Sequence, residues 1–159
     1  TGIDMGEAPL TVARLHSLES GVHVNYRQIQ AEKIALEQPA HYDVVTCLEM
    51  LEHVPDPASV VAACAKLAKP GAMLFFSTIS RTPKAYALAV LGAEYVLRWV
   101  PAGTHDWNKF LKPGELIGFL DGVDVRIEGP FGVNLDIPTW TWKRSGDSTV
   151  NYMMTVKKP

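Results

Sequence analysis

Hydrophobic positions in the first half of the chain alternate between two spacings. The segments "TGID" (residues 1–4) and "VHVNYRQ" (22–28) have the character of short strands. Helical spacing predicts helices over Glu7–Ser20, about 29–37 and about 57–67. Gly21 is in the usual position to end the first helix, and Asp56 with Pro57 is a good start for the third.

Two further segments are apolar throughout. "YDVVTCL" (42–48) and "AMLFFSTI" (72–79) show no alternation of polar and apolar positions, which is typical of parallel strands buried on both faces. Strand and helix have then alternated three times along the chain. This order predicts right-handed crossovers and a doubly wound, mostly parallel α/β sheet.

The second half departs from that alternation. Thr82 and Pro83 open a helix that we expect to reach about Trp99, and "KPGELIGFLDG" (112–122) predicts a shorter one. "VDVRIEGPFGV" (123–133) and "STVNYMMTVKK" (148–158) read as strands joined by a long polar loop. Since no helix separates them, they should be antiparallel. With no linker or repeat, residues 1–159 are predicted to form a single domain.

Composition places the chain among globular proteins and gives no sign of a nucleic-acid partner. It has 159 residues, 47% of them hydrophobic, and a formal net charge of -2. Cys47 and Cys64 are widely spaced, so we interpret both as small core residues of a reducing compartment. No signal peptide is evident. Because "TGID" reads as the end of a strand, we expect the chain to begin inside a domain.

Asp4 follows the first strand, at the sheet edge where ligands bind in open α/β folds. An acidic side chain there can accept hydrogen bonds from both hydroxyls of an adenosyl ribose. A helix cap or a turn residue is the plainer interpretation, because Asp is common in both. A glycine-rich loop upstream would favour the ribose role, and this chain contains none.

The stretch "LEMLEHV" (48–54) follows the third strand. Glu49, Glu52 and His53 have the spacing i, i+3 and i+4, which places them on one face if the segment is helical. Two carboxylates and an imidazole could hold a hard divalent cation such as Mg²⁺ or Ca²⁺. His53 could instead be a general base. Alternatively, the glutamates only favour a helix N-terminus while His53 packs.

Residues 81–112 combine apolar and cationic character. From Ala85 to Val100 the only charged residues are Glu94 and Arg98, and the whole segment carries five Lys or Arg against two acids. Its helix is shorter than the ~20 residues that cross a bilayer. Cations around apolar surface, with Tyr95, Trp99 and Trp107, suit shallow insertion into an anionic membrane. A buried helix, or a lid over the active site, fits the same pattern.

Taken together, these stretches resemble the ubiquinone-biosynthesis O-methyltransferases. The resemblance rests on "GIDMGEAPLTVARLHSLESG", "YDVVTCLEMLEHVPDP", "LAKPGAMLFFSTISR", "GAEYVLRWVPAGTHDW" and "VNYMM", and so extends over nearly the whole chain. "LEHVPDP" recurs widely among class I methyltransferases. "GAEYVLRWVPAGTHDW" is far more specific.

The resemblance implies a Rossmann-like class I methyltransferase fold whose last strand is antiparallel, with the first strand and the glycine-rich motif absent from this chain. It implies S-adenosylmethionine as methyl donor and a polyprenyl phenol or quinol as substrate. Asp4 corresponds to the acidic residue that contacts the cofactor ribose, and Leu48 to a position in the cofactor pocket. Glu49, Glu52 and His53 correspond to the ligands of a divalent cation in metal-dependent members.

Mechanistically, the substrate hydroxyl must lose its proton to attack the methyl group, and His53 or a cation-held water would take it. The segment at about 80–112 corresponds to the one associated with membrane contact. We therefore expect peripheral attachment to an anionic membrane, on the cytoplasmic face of a bacterial inner membrane or the matrix side of a mitochondrial one. Other proteins of ubiquinone biosynthesis are expected partners. The alternatives are a nicotinamide-dependent oxidoreductase and an inactive lipid-binding fragment.

Overall fold

The computed structural model describes residues 1–136 and 138–159. In the first half, local signals fix two of the three helices at their predicted bounds. Helix α1 spans Glu7–Ser20 and ends at Gly21 in the left-handed conformation, and α3 spans Pro57–Leu67. Asp56 caps α3, since its side chain accepts a hydrogen bond from the Ser59 backbone N–H at 3.1 Å. Helix α2 is shorter than predicted, at Ala31–Glu37.

The strands of the first half pair in parallel, as their alternation with helices predicts. Strand β1 (Gly2–Asp4) pairs with β2 (Tyr26–Gln28), and β3 (Tyr42–Leu48) pairs with β4 (Ala68–Ile79). Each pair is joined through a helix, which is the connection that parallel strands require. Of the strand predicted at 22–28, only the last three residues, Tyr26–Gln28, form a strand.

The second half adds antiparallel strands to the far side of β4. The additions are β5 (Arg126–Asp136), β6 (Thr141–Ser145) and β7 (Asn151–Lys157). The five-stranded sheet has the order β3-β4-β7-β5-β6, and β7 is antiparallel to both neighbours. The expected antiparallel relation of the last two predicted strands is confirmed. The polar loop predicted between them was wrong, because β6 forms a hairpin with β5 there.

The segment between β4 and β5 is largely helical. Helix α4 (Pro83–Ala85) starts where Thr82 accepts a hydrogen bond from the Ala85 backbone N–H, and it continues as a π-helix over Tyr86–Val96. It ends before the predicted Trp99. Helix α5 covers Pro113–Gly118, within its predicted range. In the described part of the chain, no helix is long and apolar enough to cross a membrane.

The core lies where α3 packs against β4 and β7. Val61, Leu74, Phe76, Tyr152 and Met154 are fully buried there. Cys47 and Cys64 are buried free thiols in the same cluster, as predicted from their apolar surroundings. This core holds β3 and β4 rigidly, so the segment that follows β3 is built on a fixed strand end.

A cavity of about 390 Å³ lies between β1 and β3. Gly2 and Ile3 line it from one side, and Val44 and Val45 from the other. Because β1 and β3 each pair with a single neighbour, they do not join into one sheet within the described residues. In this chain β3 is covered on one face only, since Cys47 is 4% exposed while Val44 is 55% exposed and Leu48 49%. The prediction of burial on both faces is therefore not met.

Candidate active site

Asp4 and Leu48 stand at the ends of β1 and β3 and line the same cavity, together with Cys47 and Met50. Asp4 also lines a neighbouring cavity of about 650 Å³, which the candidate base His53 borders. The ends of two strands thus bring three predicted site residues to one region. One oxygen of the exposed Asp4 carboxylate accepts a hydrogen bond from the Gly6 backbone N–H at 2.6 Å. Asp4 therefore stabilises a turn, which was the plainer of its two predicted roles. Its second carboxylate oxygen is left for a ligand.

Glu49 is held at the end of β3 in an unusual backbone conformation, with φ at +50°. Its backbone N–H donates to the Ser77 carbonyl at 2.9 Å, and its side chain accepts from the Ser77 hydroxyl at 2.7 Å and from Asn151 Nδ2 at 3.2 Å. Such left-handed non-glycine residues are costly, and they persist where surrounding contacts fix them. The neighbouring strands β4 and β7 supply those contacts.

Burial raises the pKa of the Glu49 carboxyl. The Ser77 hydrogen bond opposes this rise, and the nearby negative charge of Glu52 adds to it. A carboxyl in this setting holds its proton to higher pH than an exposed glutamate does.

Glu52 and His53 point in different directions. They lie in a short 3-10 helix over Leu51–His53, in which Glu52 is buried and His53 is exposed. The Glu52 carboxylate accepts a hydrogen bond from the Thr78 hydroxyl at 2.6 Å. The His53 ring has no side-chain hydrogen bond in the part of the chain that the structure describes.

The helical face predicted for Glu49, Glu52 and His53 is not formed. Glu49 precedes the short helix, and its carboxylate and that of Glu52 are turned to hydroxyl groups of β4. Among residues 1–136 and 138–159, no three His, Cys, Asp or Glu side chains come together as a metal-binding group. The arrangement seen here does not fit a bound divalent cation.

Sequence reasoning missed His105, which the structure brings to the same region. The centroid of its ring lies 6.4 Å from that of His53 and 6.0 Å from that of Phe110. Its Nδ1 atom is 2.9 Å from Oε1 of Glu94, an acid buried in the π-helix. A lone glutamate in an apolar helix was the available signal, because a buried carboxylate requires partners.

Glu94 accepts two more hydrogen bonds, from the backbone N–H groups of Gly103 at 2.6 Å and His105 at 2.8 Å. Burial by itself would raise the pKa of Glu94, but these bonds and the His105 ring outweigh it and hold the pKa below its usual value. Glu94 therefore stays ionised and fixes the loop that carries His105.

Comparison with known proteins identifies the family. A family model described as a methyltransferase domain matches residues 1–76. The ubiquinone biosynthesis O-methyltransferase of Stutzerimonas stutzeri (strain A1501) is 58% identical over 159 residues, covering 99% of this chain and 68% of the relative. The enzyme of the same name from Pseudomonas aeruginosa (strain PAO1) is 56% identical over 158 residues, with the same coverage.

Solved structures agree at the level of the fold. A SAM-dependent methyltransferase of Thermotoga maritima, a possible histamine N-methyltransferase, superimposes with a TM-score of 0.65 over 99% of this chain and 72% of its own, at 15% identity. A putative methyltransferase of Bacillus halodurans superimposes with a TM-score of 0.64 at 18% identity. The match covers 99% of this chain and 81% of that one. The predicted methyltransferase fold is thereby confirmed. The chain belongs to the family of ubiquinone biosynthesis O-methyltransferases.

Proposed function

We propose that the protein transfers a methyl group from S-adenosylmethionine to a hydroxyl of a polyprenyl catechol or phenol, in the biosynthesis of ubiquinone. The observation that carries this proposal is 58% identity, over the whole chain, to a relative of that name. The substrates are of the 3-demethylubiquinol and 2-polyprenyl-6-hydroxyphenol types. The family favours this reaction over the nicotinamide-dependent oxidoreductase and the inactive lipid-binding fragment that the sequence alone left open.

The cofactor region is formed by the ends of β1 and β3. Asp4 is exposed there with one carboxylate oxygen engaged by the Gly6 N–H, so its other oxygen is available to a ribose hydroxyl. Leu48 and Met50 give the adjoining cavity an apolar lining suited to an adenine ring. These residues fit the adenosyl part of the cofactor, which when bound supplies an electrophilic methyl group on a sulfur leaving group.

His53 is the proton acceptor that the sequence predicts. It borders the 650 Å³ cavity beside Glu49, in a position to meet a substrate hydroxyl. Its ring is exposed, however, and no side chain of the described residues holds it by a hydrogen bond. Orientation of the substrate in the cavity then contributes a large part of the rate, because methyl transfer requires the oxygen in line with the breaking bond.

A divalent cation on Glu49, Glu52 and His53 stays a prediction from the family resemblance. To bind one, these three side chains would have to turn towards a common point, which they do not share among the described residues. No step of the proposed reaction is assigned to a cation here.

The 80–112 segment is proposed as the contact with an anionic membrane, from which a polyprenyl substrate would enter. Its exposed apolar side chains include Leu91, Val96 and Trp99, and Trp99 meets Trp140 of the β5–β6 turn edge to face at 5.2 Å. Arg98 and Lys109 have no ion-pair partner among the described residues. Apolar surface flanked by free cations suits anionic lipid headgroups.

The test of the function is transfer of labelled methyl from S-adenosylmethionine to a short-chain prenyl catechol presented in lipid vesicles. We expect label in the organic-soluble product and S-adenosylhomocysteine in equal amount. Consumption of a nicotinamide cofactor, or no labelled product at any substrate concentration, would refute the proposal. His16→Gln, on the exposed surface of α1, is the matched control and should keep full activity.

A further inference from the structure

We propose that His105, oriented by Glu94, is the group that accepts the proton from the substrate hydroxyl. This rests on the function proposed above. The two residues form a carboxylate and imidazole pair that reaches the strand-end site from the 80–112 segment. His53, which the sequence suggests for this step, lacks such a partner within the described residues.

The ring of His105 has a fixed orientation. Oε1 of Glu94 receives both the backbone N–H and Nδ1 of His105, at 2.8 and 2.9 Å. A carboxylate at Nδ1 holds the proton on that nitrogen and leaves Nε2 as the acceptor. No hydrogen bond to Nε2 occurs among the described residues, so the basic nitrogen is free for a substrate.

The His105 ring lies beside the residues that follow β3. The His105 ring is flanked by His53 on one side and by Phe110 on the other, at centroid distances of 6.4 and 6.0 Å. It also lies within electrostatic reach of Glu49, since a positive charge on this ring would lower the pKa of that carboxyl. The imidazole is therefore at the same site as the residues that follow β3.

The negative charge of Glu94 lies next to the His105 ring. When the ring takes a proton, the imidazolium lies beside an ionised carboxylate that is itself fixed by the N–H of Gly103. The other ionisable groups nearby are Glu49, Glu52 and His53 on the segment that follows β3.

The O–H bond of the substrate breaks and its proton bonds to Nε2 of His105. The electron pair left on oxygen forms the new bond to the methyl carbon, and the carbon–sulfur pair stays on sulfur. The proton leaves later through the part of the ring that is open to solvent, since the His105 side chain is 16% exposed.

Glu94 is a positioning residue in this scheme, since it acts through His105. Glu94 lies in the π-helix, so the proposed base is positioned by the same segment that we propose to contact the membrane. A disordered 80–112 segment would remove the base from the site.

The experiment uses 4-nitrocatechol, whose absorbance reports its ionisation without any methyl transfer. At a pH below its own first pKa, we expect the wild-type protein to bind it as the catecholate. His105→Gln should still bind the probe, but without the catecholate band. The same variant should lower kcat for methyl transfer about 10²- to 10⁴-fold, with little change in KM for the methyl donor. His53→Gln should keep the band.

Glu94→Gln tests the positioning role. Its single amide oxygen can still accept from the His105 backbone N–H, but an NH2 group replaces the oxygen that accepts from the Gly103 backbone N–H. The neutral side chain also holds the His105 ring less firmly than the carboxylate does. We expect the catecholate band to weaken and kcat to fall while KM for the methyl donor stays close to that of the wild type, whereas a general loss of structure would change both. Equal melting temperatures for His105→Gln, His16→Gln and wild type show that folding is intact.

Two failures are distinguishable. If wild-type protein binds 4-nitrocatechol and His105→Gln keeps both the catecholate band and the turnover, the role of His105 is refuted while the function stands. If wild-type protein neither binds the probe nor methylates a catechol, the proposed substrate class is refuted, and the role of His105 with it. Should His105→Gln fold poorly, an undiminished catecholate band and turnover in a well-folded Glu94→Gln would overturn the proposal.

Discussion

The Glu52 carboxylate accepts a hydrogen bond from the Thr78 hydroxyl at 2.6 Å, and both side chains are buried. This contact joins the segment that follows β3 to the middle of the sheet. It ties one of the predicted site residues to β4, and it removes Glu52 from the surface of the cavity.

Removing the donor should destabilise the fold. Thr78→Val keeps the shape of the side chain but leaves a buried carboxylate without its partner, so we expect the free energy of unfolding to fall by about 1–3 kcal/mol. Urea unfolding measures it. Thr78→Ser retains the hydroxyl and is the control. A Thr78→Val protein as stable as the Thr78→Ser protein would contradict this account.

The raised pKa of Glu49 predicts the direction of a pH effect on stability. Its pKa in the folded state lies above the ordinary glutamate value of 4.5, so the folded state binds the proton more tightly than the unfolded state does. The contribution of this group is therefore favourable at low pH, and it is lost as the pH rises from about 4.5 through the folded pKa.

Glu49→Gln should abolish that dependence, since a neutral amide takes no part in it. Compared with wild type, the variant should lose less stability between acidic and neutral pH in chemical unfolding curves. Glu19→Gln, at an exposed position of α1, is the control. Parallel pH profiles for Glu49→Gln and wild type would show that the Glu49 carboxyl is not the cause.

Asp4 should matter for cofactor affinity. Asp4→Ala removes a charged acceptor at the end of β1, and hydrogen bonds to charged groups are worth about 1.5–3 kcal/mol, or roughly 10- to 100-fold in the dissociation constant. Calorimetric titration with S-adenosylhomocysteine measures it. Asp121→Ala, elsewhere on the surface, should bind normally. Equal affinity in both variants would exclude a ribose contact at Asp4.

Membrane contact should depend on the apolar end of the π-helix. Leu97→Glu with Trp99→Ala replaces two half-exposed side chains, each worth about 1.5–3 kcal/mol when removed from water. Flotation with phosphatidylglycerol vesicles at low salt should show at least about a tenfold loss of bound protein. Leu18→Glu, at an apolar position of α1 that is 79% exposed, is the control. Equal flotation of all three proteins would refute the contact.

Local signals in the sequence were sufficient to predict the helix ends, which depend on neighbouring residues. Asp56 and Pro57 predicted the start of α3, and Gly21 the end of α1, because caps act through the nearest residues. The strand ends that carry Asp4 and Leu48 also followed from pattern. The short strand β6 was missed, since its polar residues become a strand only by pairing with β5.

The candidate site was harder to predict because its geometry is set by distant residues. Spacing suggested a helical face for Glu49, Glu52 and His53, but Ser77 holds Glu49 in a left-handed conformation before the short helix begins. His105 reaches the site only because Glu94 folds its loop back. No periodicity in the sequence encodes either contact.

The burial of Cys47 and Cys64 also has a consequence in solution. The hydrogen bond with Cys47 and burial both raise the pKa of the Cys64 thiol. Because the thiolate is the reactive form, a thiol reagent should label Cys64 in the folded protein only when this core opens. The labelling rate without denaturant then measures how often the sheet and α3 separate.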